Sequence, residues 1–590
     1  MKTCQKLGLL EDDSEVHQAL AEACSIRFGD QLIAFFGSLL EFCRPGNPLS
    51  LWEKFKNELI QHILHDTNIS VDEAKNTVLD KLKDRLNQCG SDLKNFSLPE
   101  PKFDTNKHER TPKIILAENN FDKETLLKQA GDDIDKMNPE QRSFFEDVFY
   151  SVLEGKGGLF CLNAAGGTGK TFILNTLLDS TRGHGHVALA TASSGVASKL
   201  LHNGSTVHSR FKVPINIQST STCSFKSTDA TGKLIQSAKL IIMDEMTMLN
   251  RHVFEAVDRS IREVTGHDEP FGGITTAFAG DWRQCLPIVQ RGSRGDIINA
   301  CLKSSNLWKV TKVTNLTRNM RVELRGESRE FSDLLLRIGD GALKENREFG
   351  EAMVELPQEL FIETSSGNDL VEAVFPNFNE NFSDISWVKN RAILCPTNQE
   401  CKEINRNLLH RLPGDSVIYK SCDTVNQSES HTYPTEFLNT IELQGIPPHI
   451  LELKPGAVII LLRNLNPTEG HVNGTRYVVQ NLLPHVIDAV AISGSNMGSK
   501  IFIPRIWLHS KDATLPFEMK RKQFPVKLAY SMTANKALEF VGIYIAREFF
   551  SHGQFYVAIS RVGDPNSVKI LFKKENKCHV KNVVFHEVLK

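Results

Sequence analysis

The N-terminal part of the chain repeats its apolar residues at helical spacing. Trp52, Phe55, Leu59 and Ile63 recur three or four residues apart, and a second pattern of this kind spans residues 71–86. Such spacing places apolar side chains on one face of a helix. We therefore predict a helical region over residues 1–102, followed by a proline-bearing, charged linker over residues 103–136.

From residue 137 the pattern changes to short apolar strands that alternate with helical segments. This alternation predicts an α/β fold built on parallel sheets, with strands at 159–162, 187–190, 240–243, 276–279, 392–395 and 568–572. Proline, glycine and β-branched residues are frequent between residues 412 and 524 and predict an inserted β domain there. The expected division is a first lobe over 137–310, a second lobe over 311–412 and 525–590, and the β domain over 413–524.

Composition and charge exclude several classes of protein. The chain has 590 residues, 40% of them apolar and 24% charged, which is typical of a globular protein of three or four domains. A net charge of -2 gives no global basic signature, so any contact with nucleic acid must come from a local groove. The 12 cysteines form no Cys-x-x-Cys pair and indicate reduced thiols rather than a zinc site.

The sequence contains no apolar run of the roughly 18 residues that a membrane-spanning helix needs. Its first residues also lack an apolar core behind a basic flank, as a secretory leader would have. We expect an intracellular protein without a membrane contact. The nucleus is the favoured location, and the mitochondrion stays open.

A phosphate-binding loop follows the first predicted strand. The segment reads Asn163-Ala164-Ala165-Gly166-Gly167-Thr168-Gly169-Lys170-Thr171 and leads into an apolar helix face, with alanine at the first glycine position of the usual pattern. In such a P-loop the glycines turn backbone N–H groups toward phosphate oxygens, the lysine neutralises phosphate charge and the threonine hydroxyl binds Mg²⁺. The sequence thus predicts an ATP and Mg²⁺ site that uses Gly166, Gly167, Thr168, Gly169, Lys170 and Thr171.

Two further strands end in polar residues suited to phosphate chemistry. Asp244 and Glu245 follow an apolar strand as in a Walker B element, where the first carboxylate holds Mg²⁺ and the second orients or deprotonates water. Gln284 lies just after the next strand and is a candidate sensor of the γ-phosphate. Trp282, beside it, could stack on a base or fill the core.

Together these segments resemble superfamily 1 DNA helicases of the Pif/RecD type, including the helicase segment of Helitron transposases. The resemblance covers about residue 137 to the C-terminus. It rests also on Met137-Asn138-Pro139-Glu140-Gln141, Ala190–Ala197, Gly204–Phe211, Leu316–Arg321, Cys395–Asn398 and Gly553–Arg561. More loosely, residues 45–55 and parts of 433–465 look Helitron-like.

The resemblance implies two RecA-like lobes that close on ATP and Mg²⁺, with an SH3-like β insertion near the DNA. It implies that Gln141 reads adenine and that Arg321 and Arg561 reach the γ-phosphate. It also implies contacts to single-stranded DNA and duplex junctions by Ser193, Ser194, His208, Asn398 and Lys536. The expected activity is movement from 5′ to 3′ along single-stranded DNA by a monomer, with roles in recombination, repair or transposition.

One segment departs from the family pattern. After Lys536-Ala537 the family has Gln-Gly and a short turn, whereas here Leu538 follows directly. That turn normally couples DNA to the nucleotide, so an impaired, transposon-derived DNA-binding relic is the competing interpretation. A small-molecule P-loop kinase is a third, which two lobes with paired arginines disfavour.

Overall fold

The computed structural model describes residues 13–26, 29–66, 69–88, 91–102, 115, 118, 120–214, 216–326, 328–363, 366–425, 432–443, 445–467, 469–494, 496–510, 515–533, 539–572 and 578–590. The chain forms two compact units. We call residues 110–377, 390–404 and 531–590 the lobe unit. Residues 1–109, 378–389 and 405–530 form the helix–β unit.

The lobe unit is built on two parallel sheets. The first has six strands, in the spatial order Ser205–Thr206, Val187–Ala192, Ala238–Asp244, Thr275–Gly280, Leu159–Ala164 and Thr311–Leu316. All its pairings are parallel. Because parallel strands end at the same edge, their C-terminal residues are brought together there.

One expected boundary is wrong. The strand Thr311–Leu316 pairs along its length with Leu159–Ala164, so it belongs to the first sheet rather than to the second lobe. Its alternating polar residues leave it partly exposed, as suits the edge strand of a sheet. The first lobe therefore extends beyond residue 310.

Helices cover the first sheet and join its strands. They span Lys123–Asp135, Pro139–Glu154, Lys170–Gly183, Gly195–Ser198, Val207–Arg210, Ala230–Ser237, Arg251–Thr265 and Arg294–Ala300. The helix Pro139–Glu154 begins with a capping box, in which Asn138 and Gln141 each bond the other's backbone N–H, and it ends at Gly155 in the left-handed conformation. The neighbouring core includes Phe144 and Leu177.

The second sheet has four parallel strands, in the order Ser531–Met532, Arg391–Leu394, Phe540–Ile545 and Val568–Phe572. Helices that precede, join or follow these strands in the chain span Met320–Arg325, Arg329–Gly339, Gly367–Val374, Asn398–Arg411, Gln554–Ile559 and His586–Leu589. The last of these packs through Val588 in the core of the first sheet. A two-stranded antiparallel ladder joins Met353–Glu355 to His579–Lys581. The strands predicted at 392–395 and 568–572 agree with this sheet to within a residue.

The helix–β unit contains antiparallel sheets. Its largest has five strands, in the order Lys500–Pro504, Val486–Ala491, Arg476–Leu482, Val458–Leu461 and Val526–Leu528. A three-stranded sheet consists of Cys422–Val425, Met519–Gln523 and Ile506–His509, and a pair consists of Ile450–Leu453 and Val417–Lys420. Short helices span Phe378–Asn381, Ile385–Val388 and Thr435–Thr440.

The N-terminal helices share a core with these strands. They span Ser14–Ile26, Asp30–Ser38, Pro48–Asp66 and Val71–Gln88. Phe35 packs edge-on against Phe502, with ring centroids 5.5 Å apart, and Val486 joins the same apolar cluster. Residues 1–102 and 413–524, expected as separate regions, therefore meet in one compact unit.

Two smaller observations concern the whole chain. In the ranges that the structure describes, no helix is long and apolar enough to span a bilayer. The cysteines within those ranges are free thiols, from Cys24 to Cys578.

Candidate nucleotide-binding and catalytic site

The P-loop links the strand Leu159–Ala164 to the helix Lys170–Gly183. Gly167 and Gly169 both adopt φ of 89°, a left-handed conformation that favours glycine. A Cβ at Gly167 would lie 2.5 Å from Oδ1 of Asn319, and one at Gly169 would overlap Nε2 of Gln141. Backbone geometry and close neighbours thus both require glycine at these positions.

Gln141 lies against the P-loop, yet its side chain is already bonded within the protein. Its Nε2 donates to the carbonyl of Thr168 at 2.8 Å, and its Oε1 accepts from the N–H of Asn138 at 3.0 Å. The hydroxyl of Thr168, which is also buried, donates to Ala165. Gln141 therefore braces the loop in this state, and a contact with adenine stays a prediction.

Lys170, Asp244 and Glu245 meet at the C-terminal edge of the first sheet. The Nζ of Lys170 lies 2.7 Å from Oε1 of Glu245 and 3.1 Å from Oδ1 of Asp244. Asp244 is 1% exposed at the end of its strand, and Glu245 follows it with φ of 54°. The sequence motifs predicted these residues separately, and the structure brings them into one cluster.

The cluster shifts the protonation of its members. Burial would lower the pKa of Lys170, but the two carboxylates raise it above its ordinary value. Burial would raise the pKa of Glu245, but the ammonium of Lys170 outweighs burial and the pKa lies below its ordinary value. Burial raises the pKa of Asp244, and the charge of Glu245 adds to this. Lys170 and Glu245 are thus held charged at neutral pH.

Arg561, in the second lobe, interacts electrostatically with the same cluster. It follows the helix Gln554–Ile559, and its Nε donates to the carbonyl of Val557 at 2.6 Å. Burial lowers the pKa of Arg561, while the carboxylate of Glu245 acts in the opposite direction. A cation from the second lobe therefore interacts electrostatically with the carboxylate that follows a strand of the first sheet.

The segment after the strand Thr275–Gly280 contacts the second lobe through Asp281. The hydroxyl of Tyr556 donates to Oδ2 of Asp281 at 3.0 Å, and Nε2 of Gln284 donates to the same oxygen at 3.3 Å. Burial raises the pKa of Asp281. Gln284 is thus linked to the second lobe by two hydrogen bonds that share Asp281, while its role as a γ-phosphate sensor stays a prediction.

Trp282 fills the core, which decides between the two roles that the sequence left open. It is 3% exposed and packs edge-on against Trp308, with ring centroids 5.5 Å apart. Stacking on a base would require an exposed indole face. The structure therefore excludes base stacking by Trp282 in this state.

Arg321 lines a cleft beside the P-loop. The N–H of Met320 donates to the carbonyl of Gly167 at 3.0 Å, and a Cβ at Gly167 would lie 3.2 Å from Cδ of Arg321. A cleft of about 410 Å³ opens here, lined by residues that include Gly166, Thr168, Asn319, Arg321, Arg283 and Tyr556. A volume of this size is ordinary for small-molecule and cofactor sites.

The oxygen donors at this edge fit a magnesium ion that accompanies a nucleotide. Mg²⁺ in such sites is held by one or two protein oxygens, together with phosphate oxygens and water. Thr171 lies in the first turn of the P-loop helix and Asp244 ends another strand of the same sheet. Both predicted ligands therefore lie at the C-terminal edge of the first sheet. Across the described ranges, no cluster of three or more His, Cys, Asp or Glu side chains could hold a metal by itself.

The described residues expected at the DNA lie in a loop or at the ends of helices, and most of them are accessible. Ser194, His208 and Asn398 are exposed, and Ser193 is half-buried. The N–H of Ser193 donates to the carbonyl of Asp244 at 3.1 Å, so this loop adjoins the carboxylate cluster. Lys536 and the shortened segment after it lie outside the described residues, which exclude 534–538.

Sequence reasoning missed several residues of the site. It gave no role to Asp281, Asn319 or Tyr556. The polar character of Asp281 at a strand end and the phenol of Tyr556 four residues before Ser560 were the available signals. Their pairing spans 275 positions along the chain and is visible only in the fold.

Comparison with protein families and curated proteins agrees with this geometry. The family described as "PIF1-like helicase" matches residues 136–348, and the family described as "DNA helicase Pif1, 2B domain" matches residues 436–482. The chain is 28% identical to the ATP-dependent DNA helicase PIF1 of Danio rerio over 74% of its own length and 61% of that protein. The Xenopus laevis protein is 25% identical over 72% and 60%. The chain thus spans about 60% of the length of these relatives.

Solved structures give the same fold. The Pif1 helicase from Bacteroides in complex with ADP-AlF3 and ssDNA superposes with a TM-score of 0.54 at 20% identity, covering 75% of this chain and 95% of that one. The Pif1 helicase from Candida albicans gives 0.53 at 21% identity, covering 77% and 97%. These findings confirm the resemblance to Pif1-type superfamily 1 helicases. They also confirm the expected fold of two RecA-like lobes with an additional β domain.

Proposed function

We propose that this chain, whose lobes carry the motifs and fold of Pif1-type superfamily 1 helicases, is an ATP-driven DNA helicase. It binds ATP with Mg²⁺ between the P-loop and the Walker B strand, and it couples hydrolysis to movement from 5′ to 3′ along single-stranded DNA. Its partners are single-stranded DNA and duplex junctions. It works as an intracellular monomer in the nucleus, in recombination, repair or transposition.

The observation that carries this proposal is the electrostatic interaction of Arg561 with Glu245. Glu245 directly follows a strand of the first sheet, Arg561 follows the helix Gln554–Ile559 beside the second, and their charges influence each other's pKa. A guanidinium that reaches the reaction centre from a second lobe makes hydrolysis depend on lobe closure. That dependence is what a motor needs, because closure and opening then follow each turnover.

The side chains divide the chemistry among them. Lys170, now paired with both carboxylates, would turn its ammonium to the β- and γ-phosphates when ATP enters. Glu245, held ionised, would orient the attacking water and accept its proton. Arg561 and Arg321 would neutralise charge that develops on the leaving phosphoryl group. Thr171 and Asp244 would hold Mg²⁺, which when bound would supply electrophilic stabilisation of the phosphate oxygens.

A DNA contact is supported by the loop that begins at Ser193. The backbone bond from Ser193 to Asp244 joins this loop to the carboxylate cluster, so movement at the nucleotide would reach a loop that faces solvent. Ser194 caps the short helix Gly195–Ser198 and fixes the loop at its other end. Single-stranded DNA lying across Ser193, Ser194, His208 and Asn398 would then respond to each closure.

The test is unwinding of short duplexes that carry a single-stranded tail at either the 5′ or the 3′ end. We expect ATP-dependent unwinding of the 5′-tailed duplex only, and none by Lys170→Ala. Lys156→Ala, a change at an exposed lysine before the first strand, serves as the matched control with full activity. Equal unwinding of both duplexes would contradict the polarity, and no unwinding of either would contradict the helicase function.

The competing interpretation is a relic that binds DNA and nucleotide without coupling them. It rests on the shortened segment at Lys536, most of which lies outside the described residues. Insertion of Gln-Gly-Gln-Ser after Ala537 restores the family's length. Strong unwinding with the insertion but weak unwinding without it would favour the relic, whereas equal unwinding by both proteins would reject it.

A further inference from the structure

His552 is a buried histidine that joins three parts of the lobe unit. It is 2% exposed and lies just before the helix Gln554–Ile559. One ring nitrogen, Nε2, lies 2.9 Å from the carbonyl oxygen of Trp282. The other, Nδ1, lies 2.8 Å from the backbone nitrogen of Phe585. The ring thus bridges the segment that contains Trp282 and Gln284 and the C-terminal segment.

The two partners fix the tautomer of His552. A backbone N–H can only donate, so Nδ1 must accept from Phe585 and carry no proton. A carbonyl oxygen can only accept, so Nε2 must carry the proton and donate it to Trp282. Burial lowers the pKa of His552, the nearby Arg294 and His586 act in the same direction, and the Trp282 carbonyl and Glu587 oppose them. The ring is therefore neutral, with one donor and one acceptor.

The residues after His552 also contact the segment over residues 281–284. A Cβ at Gly553 would overlap the carbonyl oxygen of Arg283 and lie 2.7 Å from the carbonyl carbon of Gln284. One turn further along, Tyr556 donates to Asp281. The backbone of residues 281–284 is thus held against the segment that ends at Arg561.

Phe585 anchors the other side of the ring. It packs in the apolar core of the first lobe together with Trp282, and its ring centroid lies 5.4 Å from that of His552. The guanidinium carbon of Arg294 lies 4.5 Å above the Phe585 ring. Phe585 therefore gives His552 a fixed support.

We propose that His552 is a positioning residue, whose Nε2–H bond to Trp282 sets Gln284 relative to Arg561 for ATP hydrolysis. This inference rests on the proposed function and adds a residue to which the sequence motifs gave no role. His552 touches no phosphate by this account. It acts through the backbone of residues 282–284, so its loss lowers turnover without weakening ATP binding.

Two substitutions separate the two bonds of the ring. In His552→Gln the amide nitrogen takes the place of Nε2, which keeps the donor to Trp282. In His552→Asn the amide oxygen takes the place of Nδ1. This variant keeps an acceptor for the Phe585 N–H but loses the donor to Trp282. A purely structural histidine would tolerate both changes or neither. His267→Asn, at an exposed loop position, is the matched control.

The readouts are kcat and KM for ATP hydrolysis by the full chain with single-stranded DNA, and the midpoint of thermal unfolding. We expect His552→Gln to keep kcat within about threefold of the wild type, and His552→Asn to lose about tenfold or more at nearly unchanged KM. Loss of kcat by His552→Gln overturns the proposal, whether or not His552→Asn folds. Full kcat in a folded His552→Asn overturns it as well.

A binding measurement keeps this test distinct from the test of helicase function. A wild-type protein that hydrolyses no ATP refutes the proposed function but leaves the positioning role open to measurement. ADP and ADP with aluminium fluoride, which imitates the transferred phosphoryl group, are then titrated into each variant. We expect His552→Asn to weaken only the aluminium fluoride complex relative to the wild type. Equal affinities of the wild type and both variants for that complex would reject the positioning role.

Discussion

The hydroxyl of Tyr556 lies 3.0 Å from Oδ2 of Asp281 and donates a hydrogen bond to it. Tyr556 belongs to the helix Gln554–Ile559 beside the second sheet, and Asp281 directly follows a strand of the first. Both side chains are buried. The bond therefore ties the two lobes together next to Gln284.

Tyr556→Phe removes this hydrogen bond and leaves a buried carboxylate with one donor fewer. We expect the lobe unit to lose about 1–3 kcal/mol of unfolding free energy, since an unsatisfied buried acceptor keeps its desolvation cost. Turnover should fall while KM for ATP stays nearly constant. Denaturant unfolding and steady-state kinetics measure the two effects. Tyr544→Phe, on the strand Phe540–Ile545, is the control, and an equal loss there would show that the bond to Asp281 is not the cause.

Lys170→Ala deletes the cation that holds Glu245 ionised and opposes the effect of burial on the pKa of Asp244. We expect ATP turnover to disappear with the fold intact, because the phosphates lose their only P-loop charge and Glu245 loses the partner that lowers its pKa. Circular dichroism checks the fold, and phosphate release checks the turnover. Wild-type turnover by this variant would refute the P-loop assignment.

Arg561→Ala removes the cation of the second lobe from the cluster. Loss of an arginine that acts in the transition state typically costs about a thousandfold in turnover and spares nucleotide binding. We expect this pattern, measured as kcat and as ADP affinity. Arg347→Ala, at an exposed arginine that pairs with Glu345, should change neither. A parallel loss of affinity and turnover in Arg561→Ala would make Arg561 a binding group instead.

Glu140 carries a pH-dependent contribution to stability. Burial would raise its pKa, but hydrogen bonds from the hydroxyl and N–H of Thr317 outweigh burial and lower it. A carboxylate with a lowered pKa stabilises the fold above its unfolded pKa of about 4.3, and this stability is lost as the pH falls through the lower folded value. Glu140→Gln should therefore cost more stability at pH 7 than below pH 4.

Denaturant unfolding across this range measures the effect. Glu146→Gln is the control, because Glu146 pairs with Arg142 on the solvent side of the same helix. A difference between the wild type and Glu140→Gln that stays constant with pH, or that grows in acid, would contradict the assigned role of the carboxylate.

The sequence predicted those parts of the site that depend on local pattern. Asp244 ends its strand, Glu245 follows it directly, and Lys170 begins the helix after the P-loop, so parallel pairing of the two strands brings all three to one edge. The alternation of strands and helices predicted the two sheets for the same reason. The sheet to which Thr311–Leu316 belongs depends on pairing with a strand about 150 residues earlier, which no local pattern records.

Other features depend on contacts between segments far apart in the chain. The bond of His552 to Trp282 spans 270 positions, and the packing of Phe35 on Phe502 joins regions that looked independent. A buried hydrogen bond between distant loops produces no periodic pattern in the sequence. A polar residue in a loop is expected to be exposed, whether or not it is buried in the fold. They appear only once both partners have been placed in space.

The most direct test of the central claim is the rate of ATP hydrolysis by the full chain, measured with and without single-stranded DNA at saturating Mg²⁺. The account predicts hydrolysis that rises at least about tenfold on addition of DNA, because DNA across the lobes favours the closed state in which Arg561 meets the phosphate. Lys170→Ala gives the baseline. A rate that DNA leaves unchanged, in a protein that still binds both ATP and DNA, would contradict the account.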